Sequence, residues 1–181
     1  MHVCSVYDIM ITVICMENRF AERKHTRMAH YDYSTAGAYY VTICTHNRRC
    51  LLSRVVGRRL APAETELSVY GKIAQEQLLL LEKRFPLLKV DQYVIMPNHI
   101  HAVLILEETA GASPRPTLTD IVCAYKSLTT RACKKLLPIN KLFQTSFYEH
   151  VIRGREDYKE IVKYIAENPS RWESDNLYLA D

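Results

Sequence analysis

Val90-Asp91-Gln92-Tyr93-Val94-Ile95-Met96-Pro97-Asn98-His99-Ile100-His101-Ala102-Val103-Leu104-Ile105-Leu106 reads as two apolar runs around a Pro-Asn break. Runs rich in Val, Ile and Tyr are strand signals, and Pro-Asn between them signals a turn. Val90–Met96 and His99–Leu106 are therefore expected to pair as a hairpin. Side chains alternate between the two faces of a strand. His99 and His101 then project together from one face, and Ile100 points to the other, where helices can cover it.

Outward from this hairpin, the other elements fall into a simple order. Ala38–Cys44 is a β-branched and aromatic run, expected to be a strand. His46-Asn47-Arg48-Arg49 is a polar break. Leu51–Val56 is expected to be a short strand, followed by a loop over Gly57–Glu66. Ser68–Phe85 carries Ile73, Leu78, Leu79 and Leu81 at near-helical spacing and stops at Pro86, which predicts a helix. After a loop over Glu107–Pro116, Thr117-Leu118-Thr119-Asp120 offers caps for a helix over Ile121–Leu137 that ends at Pro138. Asn140–Thr145 is a connector and Ser146–Arg153 a short strand. Arg155–Glu167 predicts a helix with Tyr158, Ile161, Val162 and Ile165 as its apolar stripe, ended by Asn168-Pro169. This order predicts an α+β fold. It is a ferredoxin-like antiparallel sheet with helices on one face and an extra C-terminal helix carrying Tyr164.

The chain has 181 residues, 48% hydrophobic and 24% charged, with 5 glycines and 7 prolines. This excludes collagen-like and wholly disordered chains and predicts one domain with its own core. Residues 1–22 look unlike the rest of the chain and are expected to be a poorly ordered N-terminal extension, with the domain proper over 23–181. None of the six cysteines forms a Cys-x-x-Cys pair, so neither a zinc ribbon nor a disulfide framework is expected. The apolar stretch Ile9–Cys15 is too short to span a bilayer and lacks a basic leader. A cytoplasmic protein is expected.

The net charge of +4 is small, but it is unevenly spread. Residues 18–59 hold nine basic and two acidic residues, and residues 121–163 hold nine basic and four acidic. Residues 60–120 hold five basic and eight acidic. Two basic blocks around an acidic middle suit a polyanionic partner. Arg48, Arg49, Lys126 and Arg131 are the candidate phosphate contacts.

Two imidazoles side by side can bind a divalent cation, although two histidines on an exposed sheet face need no ligand at all. Tyr164 and Asn168 are four residues apart and so share one face of the last helix. Joined to the histidine pair, they make a specific chemical set: a cation to polarise a phosphate oxygen and a phenol to attack phosphorus. His150 reads as a buried, hydrogen-bonded strand histidine, with orienting the site or contacting DNA as the alternative. Tyr148, Tyr158 and Trp172 read as core or rim aromatics, one of which could stack on a base.

Pro97-Asn98-His99-Ile100-His101 resembles the His-hydrophobic-His (HUH) motif of single-tyrosine transposases of the insertion-sequence 200 type. The wider pattern is similar to the REP-associated tyrosine transposase (RAYT) subgroup. The matching pieces run from Tyr31-Asp32-Tyr33-Ser34 and Gly37–Thr45 through Val94–His101. They continue with Tyr125-Lys126-Ser127, Ser146–Arg153, Asp157-Tyr158, Tyr164-Ile165 and Asn168-Pro169. The resemblance covers about residues 23–172. It implies an enzyme that cleaves and rejoins single-stranded DNA at a hairpin through a 5′-phosphotyrosine, without ATP. It implies Tyr164 as nucleophile and His99, His101 and Asn168 as ligands of Mg²⁺ or Mn²⁺, with Gln144 a weaker alternative ligand. Single-stranded DNA with a hairpin is the implied partner, met by a monomer or homodimer. The alternatives are a catalytically silent, host-adopted hairpin-DNA-binding relative and a metalloenzyme unrelated to DNA. No Gly-rich phosphate loop and no carboxylate triad of a two-metal transposase stands out in the sequence.

Overall fold

Gly37–Cys44 forms β1, the strand around which the molecule is organised. The computed structural model describes residues 31–57, 63–108, 116–136 and 138–178. The expected extension at 1–22 lies outside the described residues. So do Arg19, Arg23, Lys24, Arg27, Arg58 and Arg59 of the first basic block. Along β1, Tyr39, Val41 and Ile43 alternate with Tyr40 and Thr42, so the strand has an apolar face and an amphipathic one.

The expected hairpin is present. β4 (Leu88–Ile95) and β5 (His99–Leu106) pair antiparallel around the Pro97-Asn98 turn. β5 also pairs antiparallel with β1, with Thr42 opposite His101 and Cys44 opposite His99. β6 (Tyr148–Val151) pairs with the other edge of β1. The four-stranded sheet therefore runs β4-β5-β1-β6, the antiparallel βαββαβ arrangement expected of a ferredoxin-like fold.

Helices α1 (Val69–Leu79) and α3 (Leu118–Leu136) cover one face. The short helix α2 (Leu81–Arg84) follows α1 after a turn at Leu80, so the single helix expected over 68–85 is divided. Ser68 caps α1 by accepting a bond from the Gly71 N–H at 3.1 Å. At Gly71 a Cβ would fall 2.0 Å from the Leu52 carbonyl oxygen, so only glycine lets the first turn of α1 approach that strand end. At α3, Thr117 and Asp120 bond reciprocally, the Asp120 N–H to Thr117 Oγ1 and the Thr117 N–H to Asp120 Oδ2. Leu118, Ile121, Val122, Tyr125 and Cys133 of α3 are buried against Tyr39, Val41, Ile43, Ile100, Ala102 and Leu104 of the sheet. Each fully buried Leu or Ile contributes roughly 1.5–3 kcal/mol.

Helix α4 (Arg155–Glu167) lies on the opposite face, where Ile165 packs with Tyr40 and Val103. A bulge between Val90 and Gln92 of β4 leaves Asp91 outside the ladder. Its Oδ2 accepts a bond from the Tyr158 hydroxyl at 2.6 Å, fastening α4 to the sheet edge. The helix is followed by a 3-10 turn over Pro169–Ser174 that buries Trp172.

One strand escaped the sequence reading. Glu64–Leu67, expected to be loop, forms β3 and pairs antiparallel with β2 (Ser53–Val56). Glu64-Thr65-Glu66-Leu67 has one strong apolar residue, so it offers no pattern to read. Its ladder and an exposed Arg54–Glu66 pair at 2.6 Å place it instead. Among the described residues no helix is long and apolar enough to cross a membrane.

Candidate active site

The alternation of β5 delivers both histidines to the face under α4. They are not on an open surface: His99 is 0% and His101 2% exposed. Their ring centroids are 4.4 Å apart. Each ring is oriented by a bond to Nδ1. His99 Nδ1 meets Asn98 Oδ1 at 2.8 Å, and since an amide oxygen only accepts, the proton is on Nδ1. His101 Nδ1 meets Tyr40 Oη at 2.7 Å and Thr42 Oγ1 at 2.9 Å. In both rings Nε2 is buried and has no partner among the described residues. Such orientation from behind, leaving Nε2 open in front, is how metal-binding imidazoles are held.

Helix α4 and the following turn close the site. Asn168 is 1% exposed and donates through Nδ2 to Asp175 Oδ2 at 2.9 Å, while its Oδ1 is buried without a partner among the described residues. The Tyr164 hydroxyl donates to the same Asp175 oxygen at 3.2 Å, and its ring centroid lies 5.3 Å from that of His101. Tyr164 is 40% exposed. One ligand atom each from His99, His101 and Asp175 lies within 4.8 Å of the others. Asp175 was missing from the sequence reading. It belongs to a polar stretch beyond the last periodic helix, and no spacing rule links it to the histidines. The 3-10 turn brings it there, and the Asn98 Nδ2 bond to the Leu177 carbonyl at 2.8 Å ties that segment to the hairpin turn.

The electrostatics follow from burial. Desolvation pushes the His99 pKa down to about 4, against the opposing pull of Asp175, and holds His101 well below the usual imidazole range, with His99 adding to it. Both rings are thus neutral near pH 7, the form that binds a cation. Burial first and the Asp175 carboxylate second push the Tyr164 phenol up to about 12. The donor set fits a divalent cation: two imidazoles and a carboxylate within reach of one another, and the orphaned amide oxygen of Asn168, a residue bonded to that carboxylate. Three orphaned buried polar atoms at one place are costly unless a ligand satisfies them.

The other residues singled out from sequence are placed unequally. Gln144 lines the cavity of about 420 Å³ above the site, with Tyr40, His101, Tyr148, Tyr164 and Asp175. Arg48 is exposed in the turn after β1, held at φ 53°, and its charge is felt at His99. Arg49 is exposed beside it. Arg131 is exposed on α3, whereas Lys126 donates to the Thr145 and Ser146 carbonyls at 2.7 and 3.4 Å and braces the connector. His150 is hydrogen-bonded as expected, to Asp157 at 2.9 Å, but is half-buried rather than buried. Tyr158 is engaged with Asp91 and Trp172 is 5% exposed beside His99, which leaves Tyr148, 53% exposed, as the open aromatic.

No protein-family model matches the chain. An uncharacterized protein of Haemophilus influenzae is 32% identical over 173 residues, covering 87% of this chain and 93% of its own length. A REP-associated tyrosine transposase of Escherichia coli is 23% identical over 140 residues, covering 76% of this chain and 68% of its own. Among solved structures, a REP-associated tyrosine transposase bound to a REP hairpin aligns with a TM-score of 0.58 at 22% identity. That alignment covers 80% of this chain and 73% of the other, and the two share a fold.

Proposed function

We propose that this chain, which belongs to one family with the Haemophilus influenzae protein, is a metal-dependent single-tyrosine DNA transposase or strand-transferase. It cleaves and rejoins single-stranded DNA at a hairpin through a 5′-phosphotyrosine. The observation that carries the reading is the Tyr164 hydroxyl beside a buried cluster of unpartnered ligand atoms, His99 Nε2, His101 Nε2 and Asn168 Oδ1. Similarity to the Escherichia coli transposase and the fold shared with the hairpin-bound structure support the substrate class.

His99, His101 and Asn168 would hold Mg²⁺ or Mn²⁺, with the Asp175 carboxylate beside them. A cation bound there would draw electron density from a phosphate oxygen. The chain supplies the rest. Tyr164 Oη forms a bond to phosphorus, and the bond from phosphorus to the 3′ oxygen breaks. The leaving oxygen takes up a proton and departs as a 3′-hydroxyl. The phenol proton points at Asp175 Oδ2 before reaction, so it has an acceptor. The covalent link conserves the phosphodiester energy, so reversal by a 3′-hydroxyl rejoins strands without a nucleotide cofactor.

The test is an end-labelled pool of hairpins with randomised single-stranded flanks, incubated with Mn²⁺ and resolved under denaturing conditions. Wild type is expected to yield a protein–DNA adduct and Tyr164→Phe none. Equal adduct from both would remove Tyr164 from its role. Tight hairpin binding with no adduct from either would make the chain a silent binding relative.

A further inference from the structure

Helix α3 carries two stripes. One, formed by Leu118, Ile121, Val122, Tyr125, Thr129 and Cys133, is buried in the core. The other recurs at helical spacing on the opposite side and includes Cys123, Ser127, Arg131 and Lys134. It faces the connector that carries Lys141, Gln144 and Thr145, and the two walls enclose a trench of about 460 Å³. From Cys123 to Lys134 the helix runs roughly 16 Å.

Three features separate this trench from ordinary solvated surface. First, Lys126, Arg131, Lys134 and Lys141 line it, and no carboxylate does among the described residues. Second, its wall is fixed. Lys126 holds the Thr145 and Ser146 carbonyls, Lys141 Nζ donates to Thr145 Oγ1 at 3.1 Å, and the Gln144 N–H donates to the Cys44 carbonyl at 2.9 Å. Third, it adjoins the site. Gln144 lines both this trench and the cavity containing His101 and Tyr164. The far side of Tyr164 is different: the recess there is lined by Asp157 and Glu160 as well as His150. A polyanion crossing the site therefore meets cations on one side and carboxylates on the other.

We propose that the single strand flanking the scissile phosphate is held on one side only, in the trench between α3 and the 141–145 connector. Arg131, Lys134 and Lys141 contact its phosphates, and it passes Gln144 to reach Tyr164. This rests on the reading of the site as one that acts on single-stranded DNA, and it adds the path of the strand and Lys134, Lys141 and Gln144 to it. Lys126 shapes the trench wall more than it contacts phosphate, since its ammonium already serves two carbonyls.

Cys123 provides a reporter within the trench, being exposed on its floor. The experiment uses the full chain carrying Tyr164→Phe, so that binding is read without covalent capture, and a short mixed-sequence single-stranded DNA oligonucleotide. Alkylation of Cys123 by iodoacetamide, followed by peptide mass spectrometry, is expected to slow several-fold when the oligonucleotide is bound. Fluorescence anisotropy reads affinity in parallel. Arg131→Gln/Lys134→Gln/Lys141→Gln is expected to weaken binding about ten-fold or more and to flatten the log–log salt slope by about 2. Arg131→Gln/Lys134→Gln leaves the connector bonds intact and is expected to show most of that loss. Lys72→Gln/Lys83→Gln/Lys89→Gln, an equal charge change outside the trench, is expected to alter affinity less than two-fold. Unchanged Cys123 reactivity at saturating oligonucleotide would overturn the proposal, as would equal losses from the two triple variants. An adduct from the unmodified chain together with an unprotected Cys123 would leave the transposase reading standing and remove only the trench.

Discussion

The two faces of one sheet are built from the same strands and differ in what they finish. Under α1 and α3, Tyr39, Val41, Ile43, Ile100, Ala102 and Leu104 pack into one apolar cluster; Glu149 stands opposite Val41 at its edge, and the buried Tyr125 hydroxyl donates to the Ala74 carbonyl at 3.1 Å. Under α4, Tyr40, Thr42, His99 and His101 are equally buried but polar, and bonds within the protein use one nitrogen of each ring and leave the other. Burial without a partner costs roughly 1–3 kcal/mol per polar group. A face that carries three such atoms together is arranged for something the chain itself does not provide. The first face holds the fold and the second spends part of that stability to keep a site open.

The sharpest way to break this contrast uses adjacent residues of β5. Ile100→Ala empties the closed face and is expected to lower stability by about 2–5 kcal/mol, read by urea denaturation. The Mn²⁺-induced rise in melting temperature should survive it below the transition, because the ring positions on the other face are untouched. His99→Ala/His101→Ala is expected to do the converse. Mn²⁺ at a hundred times its dissociation constant should stabilise wild type by about 2.7 kcal/mol, and this gain should vanish in the double variant. If Ile100→Ala removed the Mn²⁺ response, or the double histidine variant kept it, the two faces would not be separable.

A third effect sharpens the comparison through pH. The folded protein keeps His99 neutral down to about 4 and His101 neutral to well below its usual range. In the unfolded chain both titrate near ~6.5. Between these values the unfolded state binds protons that the folded state refuses. Stability present above about pH 6.5 is therefore lost as pH falls toward 4, by up to about 1.4 kcal/mol per pH unit for each histidine. Urea melts at pH 7.5, 6 and 5 should show this decline in wild type and a flatter profile in His99→Ala/His101→Ala. Identical profiles would mean that folding does not desolvate the histidines.

Much of this was legible before the structure. The hairpin, the strand–helix order and the pairing of His99 with His101 on one face follow from periodicity, because a strand alternates with a period of two whatever surrounds it. Tyr164 and Asn168 share a helix face for the same local reason. What could not be read lay where no periodicity exists. β3 is recognised by its ladder to β2, since its four residues include one strong apolar side chain, Leu67, and so show no alternation to read. Asp175 reaches the histidines through a 3-10 turn and the tie between Asn98 and Leu177. Lys126 looks from sequence like a free cation on a helix, and only the neighbouring 145–146 carbonyls reveal that it is engaged.

The amino-acid sequence alone determined which side chains share a face, because that depends on backbone geometry within one element. It thereby determined that two imidazoles stand together and that a phenol and an amide stand together. Tertiary structure decided that these two pairs meet, with the imidazoles and the amide out of water and the phenol partly exposed. It also decided that a carboxylate distant in sequence joins them and that a cationic trench lies beside them on one side. Burial and the distance between elements are properties of the packed chain, and no residue carries them by itself.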